Sequence, residues 1–140
     1  MKIWHLKFEV DQYDNLEPVE EFMFEKIHSF DGRKLKANWE PLPVRRMEPK
    51  KKLALSDAPG FIIPVFSKRA LDILYPLIQN SAEDLKLLFS EGEYYAINVT
   101  KILNVVDYSK SIYKMYSDGS RIMQFQKYSF RICDDLLKND

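Results

Sequence analysis

The chain has 140 residues, of which 46% are hydrophobic and 30% charged, with 4 Gly and 7 Pro. This composition excludes low-complexity, collagen-like and disulfide-scaffold proteins and is sufficient for one folded core. Basic and acidic residues both number 21, so the zero net charge gives no reason to expect non-specific binding to nucleic acid or to an anionic membrane.

The first third of the chain is predicted to be extended. Residues 3–10 alternate between apolar and polar side chains, which predicts a half-buried strand, and a less regular alternation predicts a second strand over 22–27. Residues 39–47 contain Pro41 and Pro43, which favour extended backbone but remove two amide donors. We therefore expect an edge strand or a loop there.

The clearest helix signal begins at Ser67, a favourable N-cap residue. Apolar residues then recur at spacings of three and four, as on a helix that packs against a sheet: Ala70, Leu71, Leu74, Leu77 and Ile78. Pro76 should kink or interrupt this helix, which should end by Asn80. The main helix is therefore placed over about residues 67–79.

The second half is rich in β signals. Two hairpins are predicted, with a β-branched run between them: 85–89 with 94–99, then 102–106, then 112–116 with 121–130. Asp118–Gly119 favours a two-residue type I′ turn, which places Met115 opposite Ile122 and Ile112 opposite Phe125. Together these elements predict a single α+β domain over residues 1–140, with a mostly antiparallel sheet packed by one main helix.

The residues that carry most enzyme chemistry are sparse. Two His and 1 Cys exclude an internal disulfide and the common four-ligand zinc sites. The four glycines are isolated, so no phosphate-binding loop is present, and neither His5, His28 nor Cys133 lies in a ligand-like or nucleophile-like pattern. We expect no catalytic residue, metal or cofactor. The sequence lacks a signal-peptide pattern and a transmembrane segment, and a lone cysteine fits the cytoplasm.

Charge is segregated along the chain. An acidic block over 9–25 precedes a basic block over 33–52. The two blocks could pair with each other in the fold, or the acidic block could attract a basic partner. Tyrosines present a similar choice between a contact surface and cross-strand packing: Tyr94, Tyr95, Tyr108, Tyr113, Tyr116 and Tyr128.

Several stretches together resemble a bacterial immunity-protein family of polymorphic toxin systems, long catalogued as a domain of unknown function. They are Phe30–Arg33, Trp39–Leu42, Leu55–Phe61, Ser67–Leu71, Leu74–Leu77 and Glu93–Thr100, in the family's order over most of residues 1–130. The resemblance implies a small cytoplasmic protein, encoded beside a toxin, that binds and neutralises that toxin without catalysis. The zero net charge and the lack of a spanning segment, in turn, lead us to expect no nucleic-acid or membrane partner.

Family members usually continue beyond the last hairpin with further strand and helix, whereas this sequence stops at Asp140. The resemblance therefore implies a shortened version with an uncovered sheet edge or apolar face. Either a short helix over 134–138 or a homodimer could cover it.

The sequence leaves three functions to compare. For a toxin-binding protein, complementary charge favours the acidic block as the contact surface: Asp11, Asp14, Glu17, Glu20 and Glu21. The first alternative is an enzyme or small-ligand binder with an anion-binding cleft at the helix beginning near Ser67, assisted by Lys68 and Arg69. The second is a homo-oligomeric structural module.

Overall fold

The structure is a computed structural model that describes Leu6, residues 11–20, Glu25 and residues 30–131. These residues fall into two compact units, one within residues 5–102 and one from residue 103 onward. The single domain over 1–140 stays a prediction. The predicted helix over 134–138, and the predicted strand over 3–10 apart from Leu6, lie outside the described residues. Of the predicted strand over 22–27 only Glu25 is described, and its backbone is helical.

The first unit combines a five-stranded sheet with one main helix, which confirms the α+β class. Its elements are β1 (Leu16–Pro18), β2 (Leu42–Arg46), β3 (Val65–Ser67), α1 (Lys68–Ile78), β4 (Ala82–Leu88) and β5 (Tyr94–Val99). Short 3-10 turns lie at Lys36–Asn38 and Pro49–Lys51. The strand order is β1-β2-β4-β5-β3, and the β2–β4 pair is parallel while the others are antiparallel.

The β4–β5 hairpin is the centre of this sheet, as its local sequence predicts. Ala82 pairs with Val99 at one end and Lys86 with Tyr95 at the other. Alternate side chains of the strands enter one core because strand residues point to opposite faces in turn. The buried core residues are Leu16, Leu42, Val44, Ile63, Val65, Leu85, Leu87, Tyr94 and Ala96.

The edge position expected for residues 39–47 is wrong. β2 lies between β1 and β4, with Leu42 opposite Leu87 and Leu16 opposite Arg46. An interior position is compatible with Pro43 because this proline is only the second residue of the strand, and its carbonyl still accepts from the Val19 N–H at 3.1 Å.

Helix α1 starts where the sequence predicts. The Ser67 hydroxyl oxygen accepts from the Ala70 N–H at 3.1 Å, and the helix runs through Pro76 to end at Ile78. Leu71 is buried, but Leu77 is 78% exposed. Six residues of α-helix rotate a side chain by about 240°, so Leu77 lies on the flank of the predicted apolar stripe and not beside Leu71.

Glu83 of β4 and Asn98 of β5 hydrogen-bond the backbone of residues 33–35, which precede the first 3-10 turn, and so join this segment to the sheet. One Glu83 carboxylate oxygen accepts from the Leu35 N–H at 2.7 Å and from Asn98 Nδ2 at 3.0 Å. The same Asn98 amide donates to the Arg33 carbonyl at 2.8 Å. Burial raises the pKa of Glu83, but the hydrogen bonds from Leu35, Asn98 and Lys36 outweigh it and hold the pKa below its usual value.

This arrangement predicts a pH-dependent contribution to stability. Because the folded-state pKa of Glu83 is lowered, its contribution is present above the unfolded value of about 4.3 and is lost as the pH falls through the folded value. Glu83→Gln should therefore lower the free energy of unfolding by about 1 kcal/mol at pH 7, with a smaller difference at pH 3. Urea unfolding at both pH values measures this, and an equal difference at both would contradict it.

The second unit contains the predicted C-terminal hairpin, with β6 (Ile112–Met115) and β7 (Ile122–Lys127). Met115 lies opposite Ile122, as predicted. Phe125, however, lies opposite Tyr113, and Ile112 lies opposite Lys127, because register shifts interrupt the pairing. The run over 102–106 forms no strand and contributes only an isolated bridge between Val106 and Phe130.

The loop of this hairpin differs from the predicted type I′ turn. The Tyr116 N–H donates to the Arg121 carbonyl at 3.0 Å, so four residues form the loop. Gly119 has a φ of 68°, whereas Asp118 does not have the positive φ that a type I′ turn needs. The Asp118 carboxylate instead accepts from the Ser120 N–H at 3.0 Å. This side-chain bond favours a longer loop built around an ordinary turn.

Candidate functional site

Asp14, one of the predicted partner-binding residues, is part of the fold's interior. Its side chain is only 1% exposed. One carboxylate oxygen accepts from the Asn15 N–H at 2.8 Å and the Glu48 N–H at 3.0 Å, while the other lies 3.4 Å from Arg46 Nη1. Asp14 therefore joins β1 to the chain after β2 and is not on an exposed contact surface.

The acidic and basic blocks also pair elsewhere. Glu17 of the acidic block accepts from Arg45 of the basic block at 2.8 Å. Arg46 also binds Glu91, which lies outside the acidic block, at 2.8 Å and donates to the Leu53 carbonyl at 2.7 Å. Of the two uses left open for the segregated charge, pairing within the fold is thus observed for Asp14 and Glu17.

The other three predicted partner-binding residues have different positions. Asp11 and Glu20 are exposed, and Glu21 lies outside the described residues. For these residues, contact with a partner stays a prediction.

The N-terminus of α1, the basis of the anion-binding alternative, already holds an internal carboxylate. Ser67 Oγ donates to Asp57 at 2.5 Å, and the Arg69 guanidinium also binds Asp57. Lys68 binds Asp72 at 2.5 Å. The hydrogen bonds from Arg69 and then Ser67 lower the pKa of Asp57. Both cations expected to assist a ligand are therefore engaged by the chain itself.

An aromatic cluster organises the second unit. Phe125 is at its centre, with its ring centroid 5.6 Å from Tyr113, 6.2 Å from Tyr108 and 4.4 Å from Tyr128. Phe130 stacks beyond Tyr128 at 5.9 Å. We call β6, β7 and these flanking aromatic residues the aromatic hairpin. Tyr113 and Phe125 lie opposite each other, so of the two roles considered for the tyrosines, cross-strand packing is observed for Tyr113.

The aromatic hairpin nevertheless exposes much of its apolar surface. All four residues of β6 are exposed. The exposed fractions are 51% for Tyr108, 53% for Ile112, 39% for Met115, 45% for Met123 and 45% for Tyr128. Concentrated exposed apolar and tyrosine side chains are typical of protein-binding surfaces.

Within the part of this unit that the structure describes, basic side chains outnumber acidic ones. Residues 103–131 contain five basic and two acidic side chains. Both acids are engaged locally: Asp107 accepts from Ser109 Oγ at 2.6 Å, and Asp118 accepts from Ser120 Oγ at 2.8 Å. Within the described part of the chain, Lys114 and Lys127 on the two strands have no ion-pair partner.

The other tyrosines are accounted for individually. Tyr94 is buried, and Tyr95 donates to Glu93, which with burial raises the pKa of Tyr95 to about 12. Arg121 lies over the Tyr116 ring, 4.6 Å from its centroid. From the sequence we considered the tyrosines as contact residues, but we assigned Phe125 only to cross-strand pairing and gave Lys114 and Lys127 no role. The signal available was the density of aromatic and basic residues over 108–131.

Among the described residues, no group of three or more His, Cys, Asp and Glu side chains is arranged to hold a metal ion. His5, His28 and Cys133 lie outside those residues. No described helix has the length and apolar character needed to cross a membrane. Comparisons with protein-family models, with curated proteins and with solved structures found no match.

Proposed function

We propose that this chain is a non-enzymatic, immunity-like protein of the cytoplasm that binds and neutralises a cognate bacterial toxin, and that the aromatic hairpin is its contact surface. The observation that carries the proposal is the exposure of apolar and tyrosine side chains on the hairpin. Burying such side chains against a partner removes apolar area from water, which is the main favourable term in protein association.

The architecture of the hairpin also supports binding. A two-stranded ribbon on its own is only marginally stable in water, and here aromatic packing holds its strands together. The cluster fixes the shape of the ribbon in advance, so that less side-chain freedom is lost when a partner binds. The family resemblance supplies the kind of partner, a toxin encoded by the neighbouring reading frame.

Co-expression tests the proposal. The tagged chain is expressed with the product of the adjacent reading frame, and host growth and co-purification are measured. We expect growth to be rescued and a stable complex to be recovered. Toxicity that persists in the presence of the folded chain, with no complex, would contradict the proposal.

A matched pair of variants tests the surface. Ile112 on β6 is 53% exposed, and Ile73 on α1 is 72% exposed. Ile112→Ser should weaken the complex about tenfold because it removes apolar contact area, whereas Ile73→Ser should leave the affinity unchanged. Isothermal titration of the purified proteins measures both. The reverse order of effects would place the interface on the helix.

A further inference from the structure

We infer that the face of the partner that meets the aromatic hairpin is acidic, with carboxylates opposite Lys114 and Lys127. This inference rests on the proposed function and specifies the chemistry of the partner at the same surface. It reverses the charge expected from the sequence, in which an acidic block on this chain was predicted to attract a basic partner.

The acidic segment and the aromatic hairpin differ in whether their charged side chains are already paired. On the acidic side, Asp14 and Glu17 already pair with arginines of β2. On the hairpin, Lys114 and Lys127 are exposed and lack an ion-pair partner within the described residues. Lys127 lies opposite Ile112, which is 53% exposed, and Lys114 is two residues from Ile112 on β6, so the two lysines and this apolar side chain share one face of the ribbon. A lysine next to an apolar contact is best matched by a carboxylate of the partner, with which it can form an ion pair when the complex forms.

The packing of the aromatic rings favours a protein over a nucleic acid as the partner. Single-stranded nucleic acids bind by stacking their bases on free aromatic faces. Here Tyr128 stacks with Phe125, at 4.4 Å, and with Phe130, at 5.9 Å, and Arg121 lies over the ring of Tyr116. The rings of Tyr128 and Tyr116 are therefore partly occupied by contacts within the chain, which fits a protein partner better than stacked bases.

The charge of the aromatic hairpin disfavours a second copy of this chain as the partner. A twofold interface uses the same patch on both molecules. Pairing two aromatic hairpins would bring two sets of basic side chains together, with the acidic residues Asp107 and Asp118 already engaged. Like charges opposite each other oppose association, so a distinct acidic protein fits this surface better.

A charge-reversal experiment on the full chain and its co-purified partner tests the inference. Lys114→Glu with Lys127→Glu should raise the dissociation constant about 100-fold and reduce its dependence on sodium chloride. The matched control, Lys50→Glu with Lys52→Glu, makes the same change in net charge at exposed residues of the first unit and should change the constant less than threefold. Lys114→Arg with Lys127→Arg should keep the wild-type affinity.

The outcomes separate this inference from the proposed function. If the wild type forms a complex and the Lys114→Glu, Lys127→Glu variant binds the partner equally well or more tightly, the inference of an acidic partner is wrong, while the proposal of toxin binding stands. Absence of any wild-type complex or rescue would overturn the proposed function itself. Two further measurements overturn the inference in favour of other occupants: tight binding of a single-stranded oligonucleotide to the wild type, or a dimer of the chain alone that the hairpin reversal dissociates.

Discussion

Replacing Asp14 by alanine should lower the free energy of unfolding by about 3 kcal/mol. The substitution leaves the Asn15 and Glu48 amides without their acceptor and removes one carboxylate partner of Arg46. Since the Asp14 side chain is 1% exposed, water cannot easily replace those hydrogen bonds. Removing one member of a buried, hydrogen-bonded charge pair costs about 3–5 kcal/mol, and Arg46 keeps Glu91, which places this variant at the lower end.

Glu17→Ala is the matched control for this prediction. Glu17 belongs to the same acidic segment and also binds an arginine of β2, but it is 30% exposed and Arg45 is 60% exposed. Exposed ion pairs contribute little, so the control should cost less than about 1 kcal/mol. Urea unfolding followed by circular dichroism measures both variants. If the two variants lose the same free energy of unfolding, the burial of Asp14 is not what makes its contacts stabilising.

The second large effect is expected at Phe125. Phe125→Ala removes three ring contacts, with Tyr108, Tyr113 and Tyr128, from a ribbon of only two strands. Aromatic pairs contribute about 0.5–1.5 kcal/mol each beyond the area that they bury. The variant should therefore lose about 2–3 kcal/mol of local stability, and amide exchange in β6 and β7 should accelerate about 30- to 160-fold.

Amide hydrogen exchange in β4 and β5 provides the internal comparison, since these strands belong to the other compact unit. Their protection should be unchanged in Phe125→Ala. Met123→Ala, which alters an exposed side chain of β7, should leave the hairpin protected. Hairpin protection that survives Phe125→Ala would contradict the role assigned to the aromatic cluster.

The parts of the fold that follow from local sequence were predictable. Ser67 caps α1 because a serine hydroxyl satisfies an amide of the first turn, and this needs no distant residue. The β4–β5 hairpin and the Met115–Ile122 pair likewise depend on residues near each other in the chain. Signals of this kind act within a few residues, so spacing alone reveals them.

The remaining features depend on residues distant in sequence. The interior position of β2 requires its parallel contact with β4, in which Leu42 meets Leu87, and Pro43 alone suggests an edge. From the sequence Asp14 is expected to be exposed, but in the fold it contacts Arg46 and accepts from the Glu48 N–H. The sequence predicted the C-terminal hairpin but not its aromatic cluster, because Tyr108 and Tyr128 contact Phe125 only in the folded ribbon.

We propose above that this chain neutralises a toxin through the aromatic hairpin. The most direct measurement is amide hydrogen exchange of the chain, alone and in complex with the product of the neighbouring reading frame. The proposal predicts at least tenfold slower exchange over residues 112–127 in the complex, with residues 11–20 unchanged. Slower exchange confined to residues 11–20 would contradict it and return the interface to the acidic segment.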